Sequence, residues 1–220
     1  MKAEQENEYI ILLVNEPIPE YGVPEYKGTS INVAIKDYYS FTTNREKVAV
    51  LKWITAQPQF TEMKRFTEGE NTIFTLNESE YDDILKTGET PKNLQIALKF
   101  IKNKFDVFLL SNPSNTKSAD FIIRQKGKLF YIEGKTSSGG SALITRLFDG
   151  AKQSDRIAIN LMKINSIKSI AASFKKAFEK NPYLKEIYLF KNSHLIVVDC
   201  YLAKSRNFNT KLYKLLSQRK

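Results

Sequence analysis

Apolar and polar positions alternate most clearly around residues 118–135. Two largely apolar runs, Ser118-Ala119-Asp120-Phe121-Ile122-Ile123-Arg124 and Leu129-Phe130-Tyr131-Ile132-Glu133-Gly134-Lys135, flank Gln125-Lys126-Gly127-Lys128. Gly127 supplies the positive φ that a tight turn needs, so the pattern predicts a β-hairpin with Asp120 opening its first strand. Side chains alternate faces along a strand. Leu129, Tyr131, Glu133 and Lys135 therefore share one face of the second strand, and Phe130 and Ile132 share the other.

The rest of the chain reads as elements on either side of this hairpin. Upstream, residues 8–14 form a short apolar strand, and Pro17, Pro19 and Pro24 enforce an extended connection. Residues 30–35 read as a second strand. Asn44 caps a helix through about residue 56, with Val48, Leu51 and Trp53 inward. Residues 71–76 alternate like a strand, and Asn77-x-x-Glu80 resembles a capping box opening a short helix that stops at Gly88. These pieces amount to a small α+β module over 1–88. Its aromatics, Tyr38, Tyr39 and Phe41 among them, read as packing residues.

Downstream, Thr90-Pro91 starts a helix with Leu94, Ala97, Leu98 and Ile101 as its apolar stripe. A strand over 106–110 and a polar loop over 111–117 lead to the hairpin. A small-residue loop, 136–140, then precedes a helix over about 141–155 and a buried strand over 156–161. Ser166 caps a further helix that turns Ile167, Ile170, Ala171, Phe174 and Phe178 inward and ends before Pro182. Residues 186–190 and 194–200 pair around a turn, and 208–217 form a basic amphipathic helix. The order is α-β-β-β-α-β and then α-β-β-α. It predicts an α/β fold with a central mixed sheet over residues 89–220.

Composition narrows the setting. None of the apolar stretches in the 220 residues approaches the ~20 needed to cross a bilayer. The acidic, polar start shows no secretory signal, so the expected place is the cytoplasm, or a target cytoplasm into which the chain is delivered. Cys200 is the single cysteine, which excludes intrachain disulfides, suits a reducing compartment and reads as a small core residue. The net charge of +10 is unevenly placed: residues 1–88 hold nine Lys/Arg against fifteen Asp/Glu, and residues 89–220 hold twenty-five against nine. The second part is therefore the one expected to meet a polyanion, most simply nucleic acid.

The hairpin also carries candidate chemistry. Two acids and a lysine gather at one end of an otherwise apolar sheet, where charges are costly unless paired or metal-bound. Mg²⁺ takes oxygen ligands and keeps several waters beside one or two carboxylates. Asp120 and Glu133 would supply the carboxylates and the Gly134 carbonyl a further oxygen. Lys135 would orient or deprotonate an attacking water, or balance charge on a phosphorane; Mn²⁺ is the alternative ion. Glu-x-Lys recurs at Glu25–Lys27 and Glu62–Lys64, so context rather than the triplet makes the signal. The structural alternative is that Asp120 caps a strand while Glu133 and Lys135 form an ion pair. His194 is the sole histidine and is set beside a turn, which argues against histidine-based ribonuclease chemistry.

Element order and residues together resemble the PD-(D/E)xK nuclease superfamily, with Ala119-Asp120 in place of proline-aspartate and Glu133-x-Lys135 as the second motif. Over roughly residues 92–161, Ser118-Ala119-Asp120-Phe121-Ile122, Tyr131-Ile132-Glu133-Gly134-Lys135-Thr136 and Ala151-Lys152-Gln153-Ser154-Asp155-Arg156-Ile157 are similar to one subgroup. It is the tRNase-type C-terminal nuclease domain of contact-dependent growth inhibition toxins; related domains occur in phage head and mobile-element proteins. The resemblance implies a restriction-endonuclease-like αβββαβ core and a Mg²⁺-dependent endonuclease acting on tRNA in preference to DNA. Arg146, Asp149, Gly150 and Gln153 share a helix face by their spacing, and the resemblance gives Gln153 an orienting role towards the phosphate. Arg146 and Lys152 are second choices for that role, and Lys117, Arg146, Lys152 and Arg156, the basic residues around the site, are the expected phosphate contacts. Many members place an acid on the first core helix. Gln95 stands at that position here, with Glu89 just upstream as a substitute, so a nucleic-acid-binding or assembly protein with weak or no catalysis is the alternative. A further reading makes 1–88 a module that binds a protein partner and tethers the nuclease.

Overall fold

A computed structural model of the chain describes residues 24–76, 91–110, 118–164 and 166–217. The fold over these residues is α/β, built on one mixed sheet of eight strands. The strands are β1 (Thr61–Glu68), β2 (Asn71–Thr75), β3 (Asp106–Leu109), β4 (Phe121–Gln125), β5 (Lys128–Ser137), β6 (Arg156–Leu161), β7 (Glu186–Lys191) and β8 (His194–Asp199). They lie side by side in chain order. β2–β3, β5–β6 and β6–β7 are parallel and the other neighbours antiparallel. Each parallel pair needs a crossover. Helices α3 (Lys92–Lys102), α4 (Ser141–Ala151) and α5 (Ile167–Lys180) lie in those three connections. Helices α1 (Ile31–Ser40) and α2 (Asn44–Thr55) precede the sheet, and α6 (Cys200–Lys204) and α7 (Phe208–Ser217) follow it.

Strand alternation divides the core into two layers. One face carries Ile73, Val107, Phe121, Ile123, Phe130, Ile132 and Ala158 and packs on Leu94, Ile96, Ala97 and Phe100 of α3. On the other face, Phe108, Ile122 and Tyr131 pack on Ala34, Ile35, Val50 and Ile54 of α1 and α2. Further along that face, Ile157, Ile159, Ile187 and Val198 pack on Leu143, Leu147, Phe174 and Leu212 of the later helices.

The predicted hairpin forms as β4 and β5. Lys126 and Gly127 both adopt positive φ (48° and 75°), as a two-residue type I′ connection requires. Pairing runs from Gln125↔Lys128 to Phe121↔Ile132. The ten residues of β5 then outrun the five of β4, and Glu133 to Ser137 pair with β6 alone. The main-chain oxygen of Ser137 accepts from Met162, next to β6. Residues 133, 135 and 137 thus hydrogen-bond towards β6, while Gly134 and Thr136 turn their backbone groups to the open edge beside Asp120.

Several expectations are corrected. Residues 30–35 are not a strand: the Ser30 hydroxyl caps α1 by accepting from Val33 N–H, and Ile31, Ala34, Ile35 and Tyr38 fall at helical spacing. Thr43 rather than Asn44 caps α2, in a reciprocal capping box with Glu46. Strand β1 was not foreseen, its exposed residues hiding the period. Helix α4 ends at Ala151, because Gln153 and Ser154 N–H both bond the Gly150 carbonyl and the Ser154 hydroxyl donates to Tyr131 O at 2.8 Å. Cys200 opens α6, half-buried, instead of closing a strand. The strand expected over 8–14, the helix before Gly88 and the loop 111–117 lie outside the described residues, as does the boundary expected at residue 88. On either side of that boundary the described chain shares one sheet, through Ile73↔Val107 to Thr75↔Leu109.

Candidate active site

The site forms where β5 passes the end of β4. Asp120 sits one residue before β4, so its side chain reaches the stretch of β5 that β4 does not cover. Its Oδ2 accepts from Gly134 N–H at 2.9 Å, and its Oδ1 accepts from Asn93 Nδ2, on the first turn of α3, at 2.9 Å. Glu133 is 1% exposed and Asp120 8%. Lys135 Nζ donates to Glu133 Oε1 on the same face of β5. The three side chains named by the sequence therefore meet.

Charge is confined here. Burial, then the nearby Asp120 carboxylate, pushes the Glu133 carboxyl up to about 7 against the pull of Lys135. Burial also raises Asp120, opposed by the Gly134 N–H, Lys135 and Asn93. Glu133 Oε2 is buried and accepts from no N–H or fixed hydroxyl among the described residues; besides Lys135, Glu133 meets the Asp120 carboxyl, with which it shares a hydrogen bond when one of the two is protonated. A buried carboxylate oxygen without a donor costs about 1–3 kcal/mol or more. Its position beside a second carboxylate, and beside a Gly134 main chain turned to the open edge, fits a divalent cation with hard oxygen ligands. No group of three or more His, Cys, Asp or Glu side chains stands together among the described residues. The donor set is thus two carboxylates and a backbone carbonyl, which suits Mg²⁺ or Mn²⁺ with water completing the shell.

Helix α1 walls the Glu133 face. The rings of Tyr38 and Tyr39 lie 4.6 and 5.9 Å from that of Tyr131, and Tyr39 OH donates to the Gln153 carbonyl. Tyr131 OH accepts from Ala119 N–H at 3.0 Å, fixing the residue before Asp120. Burial, reinforced by Tyr131 and by the charge on Glu133, holds the Tyr39 hydroxyl far above its ordinary range.

Gln153 lies in the turn after α4, so the helical face it was expected to share with Arg146, Asp149 and Gly150 stops short of it. Arg146 is exposed on α4, and exposed Lys152 pairs with Asp149 at 3.0 Å. Arg156 is corrected as a phosphate contact. It is 7% exposed, donates to Glu186 Oε2 at 2.7 Å and Asp155 Oδ1 at 3.1 Å, and lies over the Phe130 ring. Reaching a phosphate would strand the buried Glu186, whereas Asp155 keeps Lys185 at 2.6 Å. Gln95 is half-buried on α3, and the α3 side chain at Asp120 is Asn93, two positions earlier. Lys117 and Glu89 lie outside the described residues. Asn93 was missed, although it sits four before Ala97 and seven before Phe100 on the sheet-facing stripe, where a polar residue is out of place.

No family model matches the chain, and no curated protein does. Among solved structures it is similar to a CdiA-CT/CdiI toxin and immunity complex from Burkholderia pseudomallei, with 15% identity and a TM-score of 0.37. That similarity covers 56% of this chain and 89% of the other.

Proposed function

We propose that the chain is a Mg²⁺-dependent nuclease that hydrolyses phosphodiester bonds in nucleic acid, tRNA in preference to DNA, in the manner of the PD-(D/E)xK enzymes its motifs resemble. The observation that carries this reading is the meeting of Asp120, Glu133 and Lys135 at the open edge of β5, with the two carboxyl groups buried side by side and one lysine standing between them and full charge. Asp120, Glu133 and the Gly134 carbonyl would hold the ion, which supplies Lewis acidity at the scissile phosphate. Asn93 and the Gly134 N–H hold the Asp120 carboxylate from two sides, so it meets its ligand without reorganising. Lys135, tethered to Glu133 Oε1, orients the attacking water or offsets charge on the phosphorane. Arg146 on α4 and Lys152 just after it, both exposed, contact flanking phosphates. Mg²⁺-dependent cleavage of tRNA and DNA by wild type, lost at least 100-fold in Glu133→Gln, is the expected result. Equal cleavage by both proteins overturns the assignment.

One observation favours a second reading, a binding or assembly protein of phage or mobile-element type with little catalysis: α3 carries no acid, and Asn93 takes up one Asp120 oxygen. Calorimetry that finds nucleic-acid binding but no heat of Mg²⁺ or Mn²⁺ binding would select it.

A further inference from the structure

The backbone pairing of β4 with β5 ends at Phe121↔Ile132. Past that pair the Asp120 carbonyl accepts from Leu110 N–H, beside β3, and side chains take over the tie to β5. Tyr131 makes much of it. Its hydroxyl oxygen accepts from Ala119 N–H at 3.0 Å and meets Ser118 Oγ at 3.1 Å. The Ser118 hydroxyl donates to the Ala119 carbonyl, so the Tyr131 proton goes to Ser118 Oγ. The Tyr39 hydroxyl of α1 also bonds that of Tyr131, and the Tyr131 carbonyl accepts from Ser154 Oγ at 2.8 Å. Ser118, Ala119 and Tyr131 are all buried, so water cannot replace a lost partner. A buried network whose members are satisfied holds one geometry.

We propose that Tyr131 is a positioning residue for the two acids: its phenol stands in for the missing rungs of the sheet and fixes Asp120 opposite Glu133. This rests on the nuclease reading proposed above. Tyr131 lies two residues before Glu133 on the same face of β5, and it grips the chain one residue before Asp120. A single rigid ring thus sets the separation of the two carboxyl groups. Phenylalanine at 131 would keep the packing on Tyr38 and Tyr39 but strand the Ala119 N–H, freeing the residues ahead of Asp120 to move. The Gly134 N–H reports that movement, because its partner is the Asp120 carboxylate at 2.9 Å.

Two measurements separate positioning from packing. In EDTA, amide exchange at Gly134 should quicken about 5-fold in Tyr131→Phe, the worth of one hydrogen bond. Calorimetry should find Mn²⁺ bound about 10-fold more weakly. The control is Tyr188→Phe, which also removes a buried hydroxyl, one that donates to Glu186 Oε2 at 3.0 Å on β7. It should leave both readings within about twofold of wild type. Wild-type Gly134 exchange or wild-type Mn²⁺ affinity in Tyr131→Phe would each overturn the proposal, as would equal changes in Tyr188→Phe. Where Tyr131→Phe does not fold, Ser118→Ala tests the same contact, with about twofold expected in each reading and no change overturning it. A wild type that binds no Mn²⁺, with the Gly134 effect intact, would instead remove the nuclease reading and leave Tyr131 as the anchor of Asp120.

Discussion

Gly134 lies against the ring of Phe121: a Cβ at residue 134 would stand 2.5 Å from Phe121 Cε2 and 3.1 Å from Ile96 Cδ1. The Phe121 ring is fully buried, so it cannot swing away. Gly134→Ala is expected to lose about 1–3 kcal/mol by overpacking. It should also shift the strand between Glu133 and Lys135 and weaken Mg²⁺ binding. Denaturant melts and calorimetry of one sample read both effects, and a variant with unchanged midpoint and unchanged heat would contradict the packing.

The raised Glu133 carboxyl sets a pH dependence. Its pKa stands at about 7 when folded, against 4.5 for a carboxyl in water. Between those values the folded state binds the extra proton, so stability falls as pH rises. The stabilisation is full below about 4.5 and is lost through pH 7. Thermal melts in EDTA should therefore show a falling Tm from pH 5 to 8, and Glu133→Gln should flatten that fall. Mg²⁺ should raise Tm more at pH 8 than at pH 5.5, because the ion needs the ionised carboxylate. An identical Mg²⁺ response at both values would argue against Glu133 as a ligand.

Removing residues 1–88 should not leave a folded domain, contrary to the tethered-module expectation. The cut strips α1 and α2 from Phe108, Ile122 and Tyr131, and leaves β3 as a sheet edge. It also removes Tyr39 from Gln153. The truncated chain is expected to aggregate, with exposed apolar surface reported by dye binding. A monomeric, cooperatively melting fragment with intact cleavage would restore the module.

Arg156→Met leaves Glu186 buried without its cation and should cost about 3–5 kcal/mol. The double variant Arg156→Met/Glu186→Leu should recover most of that. Exposed Lys152→Ala should cost under about 0.5 kcal/mol and weaken nucleic-acid affinity instead. Chemical denaturation of the three proteins separates a structural arginine from a ligand-facing lysine.

The hairpin and its site were legible because period-two alternation and a glycine turn fix faces and register together, so Glu133 and Lys135 fell on one side by parity alone. Helix α5 was legible for a similar reason, an apolar stripe bounded by Ser166 and Pro182. What failed was local and polar. Ser30 caps its helix through one hydroxyl contact that no periodicity displays, and at α2 the Thr43-x-x-Glu46 capping box moves the cap one residue ahead of Asn44. Arg156 looked like a surface cation because its two acids lie next door and thirty residues away, and only pairing β6 with β7 joins them. Asn93 reached Asp120 through tertiary placement of α3, not through spacing.

Because neighbours in the sheet are neighbours in the chain, no strand has to be threaded between two that are already paired. The pair that joins Asp120 to Gly134 closes a loop of only fourteen positions. Short closures of this kind are entropically cheap and early. The notch between Asp120 and Gly134 is thus expected to assemble on the first hairpin at the centre of the sheet, with the helices arriving afterwards to dry it.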